Sequence, residues 1–296
     1  MRLAAVLFSA SLWASTTDQD GSTPLHRAAH RDDIPAVHQL LRQGADPKAP
    51  NRYGVTPLSL ACTNGSAALV KLLLEAGADP NAELPGGETP LMTAARAGSA
   101  PVVLALLDRG ARVDARDSRR GQTALMWAAA EGHAAVINLL LAHGADPNYR
   151  LDSGFTAFLF AAREGKLDAV KAFLAAGVDI NQTIEPAPNA TRRSGAPRAG
   201  TTALHFAVGN AHYDLASFLL DAGANPNAAA NGWTALHSIT GVRKPGGGDN
   251  NPAPYGSGSL TSLDMVRKLA AKGADLNARL TRKINVGLTA LNTNGA

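Results

Sequence analysis

The stretch that decides the fold reads Thr123-Ala124-Leu125-Met126-Trp127-Ala128-Ala129-Ala130-Glu131-Gly132-His133-Ala134-Ala135-Val136-Ile137-Asn138-Leu139-Leu140-Leu141-Ala142-His143-Gly144-Ala145-Asp146-Pro147-Asn148. The Thr123 hydroxyl can accept from a free backbone N–H of a first helical turn, so Thr123 reads as an N-cap. Leu125, Ala128 and Ala129 give a short apolar face, and Gly132-His133 breaks the helix. Val136, Leu139 and Leu140 then repeat the i, i+3, i+4 spacing of a second helix. Gly144 takes the left-handed conformation at low cost and ends it. Ala145 to Asn148 turns the chain outward, and Gly154 returns it to the next threonine.

Working outward, the same phrase recurs. Threonines in a Thr-Pro/Ala-Leu/Phe tripeptide stand at Thr23, Thr56, Thr89, Thr123, Thr156, Thr202 and Thr234, in steps of 33, 33, 34, 33, 46 and 32. Where proline follows, at Pro24, Pro57 and Pro90, it takes the first helical position, which needs no N–H partner. Behind each threonine comes a Gly-Ala-Asp-Pro-Asn phrase or a weaker copy, from Gly44 to Asn277. One helix pair cannot bury both its faces, but stacked neighbours can. Close-stacked alanine layers explain the shortage of aromatics, 5% of the chain.

The run Gly-x-Thr-Pro-Leu-His, Ala-Ala, Gly, Val-x-x-Leu-Leu, Gly-Ala-Asp-x-Asn resembles the ankyrin repeat. The resemblance covers residues 16–281, with repeats starting near 21, 54, 87, 121, 154, 200 and 232. It implies an all-α ankyrin-repeat solenoid of helix-turn-helix units with outward β-hairpin-like fingers. It also implies a non-catalytic scaffold that binds another protein on the surface made by fingers and first helices.

The chemistry-bearing residues fit that reading. His26, His205 and His237 each stand three residues after a threonine, a capping position. His133 and His212 open second helices, and His143 lies in the last turn of one, where positive charge is favoured. No Cys-x-x-Cys pair supports zinc, and no nucleophile, phosphate-loop or dinucleotide signature occurs, so no cofactor is expected. The single cysteine, Cys62, replaces an alanine of the Ala-Ala pair and reads as a buried filler. Asp46, Asp79, Asp114, Asp146, Asp179 and Asp275 recur once per repeat as turn residues. The net charge of +4 favours acidic partners weakly and makes no nucleic-acid footprint.

Two insertions interrupt the repeats. Residues 182–199 hold the extra length of the 46-residue step and read as a basic finger carrying Arg192, Arg193 and Arg198. Residues 244–262, rich in glycine and proline, read as a loop between the two helices of the seventh repeat. That places the start of the last helix near Thr261. Residues 1–15 read as a signal peptide, with Arg2 before the apolar run Leu3 to Ala14, which predicts export to the periplasm or exterior; without a cleaved leader the chain would be cytoplasmic. The chain is expected to be a monomer. Residues 282–296 read as a finger or an incomplete eighth repeat. The uncapped faces of Leu263, Val266 and Leu269 predict a longer native chain. The alternative function is therefore the interaction domain of a larger exported enzyme or redox protein whose catalytic part lies beyond residue 296.

Binding positions are those that vary while the framework repeats. The residue before each threonine is Ser22, Val55, Glu88, Gln122, Phe155, Thr201 or Trp233. The pair after Ala-Ala includes His30-Arg31, Arg96-Ala97 and Arg163-Glu164. Finger tips add Arg52, Tyr53, Arg116, Arg119, Arg120, Tyr149 and Arg150. The expected partner surface comprises Tyr53, Arg96, Arg116, Arg119, Arg120, Tyr149, Arg150, Phe155, Arg163, Glu164 and Trp233. Arginine and aromatic residues are enriched at interface hot spots. The surface is expected to centre on repeats three to six and to favour an acidic protein segment.

Overall fold

The computed structural model describes residues 17–188, 198–230, 232–242 and 259–279. The leader, most of the second insertion, the centre of the first and the C-terminal segment lie outside the described residues. The chain divides into two compact halves, residues 1–146 and 147–296. In the N-terminal half the helices are α1 (Pro24–His30), α2 (Ile34–Arg42), α3 (Pro57–Asn64), α4 (Ala67–Glu75), α5 (Pro90–Ala97), α6 (Ala100–Leu107), α7 (Ala124–Glu131) and α8 (Ala134–Ala142). In the C-terminal half they are α9 (Ala157–Arg163), α10 (Leu167–Ala175), α11 (Ala203–Gly209), α12 (Tyr213–Asp221), α13 (Ala235–Val242) and α14 (Ser262–Ala271). No strand occurs among the described residues, only isolated bridges at Thr183 with Thr202 and Ala230 with Trp233.

Cap chemistry sets the register. The hydroxyls of Thr23, Thr56, Thr89, Thr123, Thr156 and Thr202 each accept from the backbone N–H three residues on. The capping histidines do more than close their own helix. Thr23 N–H donates to His26 Nδ1 at 3.1 Å, so the ring proton sits on Nε2, which donates to the Val55 carbonyl of the next repeat at 2.9 Å. His205 repeats the arrangement from Thr202 to the Trp233 carbonyl, at 3.2 and 2.8 Å. Each histidine thus joins a helix cap to the neighbouring finger.

Asparagines brace the other edge of the stack. Asn81 donates to the Gly110 carbonyl at 3.0 Å and accepts from Arg112 N–H at 2.8 Å. Asn227 does the same to Gly273 and Asp275, at 2.8 and 2.7 Å. The repeating aspartates accept from the backbone two residues on, as at Asp46 to Lys48 and Asp179 to Asn181. The fingers are short hairpin-like turns. The first three after the N-terminal edge are each closed by two backbone bonds: Asn51 N–H to Val55 and Gly54 N–H to Asn51, Leu84 N–H to Glu88 and Gly87 N–H to Leu84, Asp117 N–H to Gln122 and Gly121 N–H to Asp117. Four to six residues leave no room for a ladder.

Burial pushes the His205 imidazole below its ordinary value of 6.5, against the raising effect of the Trp233 carbonyl; burial also lowers His237. A depressed folded value means that the unfolded chain binds protons first. The stability these rings contribute is complete above pH 6.5 and is lost as pH falls through the depressed values. The thermal midpoint of the C-terminal half is expected to fall on acidification from neutral pH. Ser59 already closes the Thr56 cap at 3.0 Å without a titrating group. His205→Ser should therefore flatten the acid limb in a melting series across pH, and an unchanged slope would contradict this account.

Candidate interaction surface

In the N-terminal half, three successive fingers wall an open cavity of about 450 Å³, and the Trp127 indole of α7 forms part of its lining. Tyr53 rises from the first finger, 67% exposed. Leu84, Pro85 and Gly86 come from the second, and Arg119 and Arg120 from the third. Asp117 builds the third finger. Its carboxylate accepts from the backbone N–H groups of Arg119, Arg120 and Gln122 at 2.9, 2.7 and 2.9 Å. That carboxylate is spent on the turn, although bonds to neutral N–H groups leave its charge in place, and the turn presents both arginines outward.

Glu88 is spent likewise. It accepts from the Thr93 hydroxyl at 3.0 Å and pairs with Arg96 at 3.4 Å. Arg96 in turn lies over the Trp127 ring, 4.7 Å from its centroid. The Arg119 and Arg120 guanidiniums have no ion-pair partner among the described residues. The indole N–H of Trp127 is buried with no acceptor among the described residues.

The C-terminal half uses its candidates differently. Phe155, expected to touch a partner, is only 4% exposed. It stacks on Phe160 at 4.8 Å and Phe206 at 5.4 Å, and Arg163 covers it at 5.0 Å. The ring is therefore the floor beneath Arg163. Arg163 itself is held by Glu164 at 2.7 Å, so this pair neutralises itself. Arg150 donates to the Thr183 carbonyl at 2.6 Å and faces Glu185 at 3.9 Å, which ties adjacent fingers together. Trp233 donates to the Ser238 hydroxyl at 2.9 Å and lies under Arg198 at 5.1 Å. Arg116 and Tyr149 have contacts of their own. The arginines without an ion-pair partner beside exposed Tyr53 belong to the finger at 117–122, next to those at 51–55 and 84–88.

Trp127 and Gly86 were not among the expected contact residues. A third variable position would have found the first. Four residues after each threonine stand Arg27, Leu60, Thr93, Trp127, Phe160, Phe206 and Ser238. This position points to the same side as the fingers.

No group of three or more histidine, cysteine, aspartate or glutamate side chains among the described residues could hold a metal ion. Cys62 is buried, and burial pushes its thiol far above its ordinary value, so little thiolate forms. No helix among the described residues is long and apolar enough to cross a membrane.

Stacked capped helix pairs with outward fingers define an all-α repeat protein built for surface contact. The family model for ankyrin repeats matches residues 6–84, 25–117, 91–184 and 158–241, and the chain belongs to the ankyrin repeat family. The ankyrin repeat domain of Bcl-3, described as a unique member of the IkappaB protein family, is similar in structure. It shares 29% identity at a TM-score of 0.60, over 74% of this chain and 95% of that one. No curated protein matches the chain in sequence. Ankyrin repeats are protein–protein interaction modules, typically without catalysis.

Proposed function

We propose that the protein is a non-catalytic, monomeric scaffold whose N-terminal half captures an acidic segment of another protein. The segment lies along the fingers at 51–55, 84–88 and 117–122. The observation that carries this reading is that Arg119 and Arg120, beside Tyr53 and Trp127, have no ion-pair partner among the described residues, while Glu88 pairs with Arg96 and the Asp117 carboxylate is held by backbone N–H groups. Guanidiniums bind carboxylates in charge-assisted pairs, and an aromatic wall supplies contact area.

The test is partner recovery by the full chain from its host. Arg119→Ala with Arg120→Ala should cut recovery by about tenfold or more, since losing two such anchors costs roughly 2 kcal/mol. Both side chains are exposed, so the melting temperature should stay unchanged. Undiminished recovery at an unchanged melting temperature would overturn this surface.

A further inference from the structure

The cavity exists because one finger tip has no side chain. The residue three before the threonine is Tyr53, Gly86 and Arg120 in the three successive fingers. Tyr53 and Arg120 therefore flank a position that has no side chain of its own. A Cβ placed on Gly86 would stand 2.8 Å from Arg119 Nε and 3.3 Å from its Cζ. The Arg119 guanidinium thus lies across the glycine. Unlike its neighbour Gly87, with φ +73°, Gly86 does not occupy the left-handed region, so its backbone conformation does not require glycine. The atoms a side chain there would meet are the movable end of Arg119, so its first effect would be to displace that guanidinium.

We propose that this gap is a specificity slot: a bulky apolar side chain of the partner enters between Tyr53, Pro85 and Trp127, and a neighbouring carboxylate meets Arg119 and Arg120. The proposal deepens the function given above and rests on it. The lining supports a mixed ligand. Tyr53, Val55, Leu84, Pro85 and Trp127 are apolar or aromatic, and the two arginines have no ion-pair partner among the described residues, against the carboxylate of Asp117 held by backbone N–H groups. A volume of about 450 Å³ is in the range of ligand pockets and holds more than one side chain. An extended peptide presents neighbouring residues to opposite faces, so an acid one or two positions from the apolar residue can follow the fingers. Gly86 acts as a positioning residue, through Arg119 and through the room it leaves.

The experiment is a peptide array of extended decapeptides with glycine–serine flanks, two central positions varied over all residues, probed with the full chain. The wild type should select a bulky apolar residue beside aspartate or glutamate, about tenfold over acid beside serine. Gly86→Leu fills the slot and should abolish the apolar preference while acid selection persists. Gly86→Ala, the milder change, should weaken both by displacing Arg119, and serves if the leucine variant fails to fold. Arg119→Ser with Arg120→Ser should lose the acid selection. Acid selection without apolar preference in the wild type would overturn the slot and leave the wider function standing. An apolar preference unchanged in the folded Gly86 variants would also overturn it. Absence of acid selection altogether would overturn both.

Discussion

Phe158→Ala lowers the stability of the C-terminal half by about 3–5 kcal/mol, the range for emptying a fully buried aromatic site. Phe158 in α9 is 0% exposed and meets Phe173 of α10 edge-on, at 6.2 Å and 86°. Around these rings Ala157, Ala161, Ala162 and Ala169 pack together with Leu159 and Val170, all nearly or fully buried. The alanines have no long side chain to swing into the void, which limits how far the cavity collapses. The gain in helix propensity from alanine returns only about 0.5 kcal/mol. In a stack held by nearest-neighbour interfaces, one weakened layer also uncouples its neighbours. Denaturant unfolding should show a large fall in midpoint, and a broadened or split transition. A loss under about 1 kcal/mol would mean that this layer is not packed as described.

Gly154→Ala is the second severe change, and the chain contains its own control. Gly154 has φ +85°, and an added Cβ would stand 2.6 Å from the carbonyl carbon of Glu185 and 2.7 Å from the backbone nitrogens of Glu185 and Pro186. Backbone cannot rotate aside as a side chain can. The finger entering the first insertion must then shift, together with the bond from Ala187 N–H to the Asp152 carbonyl at 2.9 Å. Gly177 has nearly the same φ, +83°, with nothing within 4 Å of the added atom. Gly177→Ala should therefore cost only the left-handed penalty of about 1–2 kcal/mol. Gly154→Ala adds the clash and should cost at least twice as much. Equal losses in parallel denaturant titrations would show that the insertion does not press on this turn.

The repeat register could be read from sequence because its chemistry is local. Thr23 and Thr202 cap with their own hydroxyls, and glycines such as Gly132 and Gly144 take positive φ at the helix ends. The fingers could be placed as hairpin-like turns from their glycines and turn residues, but the backbone bonds that join one finger to the next, such as Ser118 N–H to the Gly86 carbonyl at 2.9 Å, could not. Contacts between repeats were harder to foresee. Arg150 and Arg163 look alike in sequence to Arg119 and Arg120. Only the structure shows that Thr183, Glu185 and Glu164 already take the first two. Phe155 lies beneath Arg163, a pairing across one helix that no composition reveals. Trp127 was hidden within a helix that reads as framework, and Gly86 contributes by what it lacks.

The central claim is that an acidic partner segment lies on the fingers around Tyr53. Its most direct test is photo-crosslinking in the host, with a photoreactive phenylalanine analogue at position 53 of the full chain. The same group at Leu104, 41% exposed on α6, is the reference. Position 53 should yield a crosslink whose sequenced peptide is acidic, and Arg119→Ala with Arg120→Ala should remove it. Equal yields from both positions, or a captured segment without acidic residues, would contradict the account.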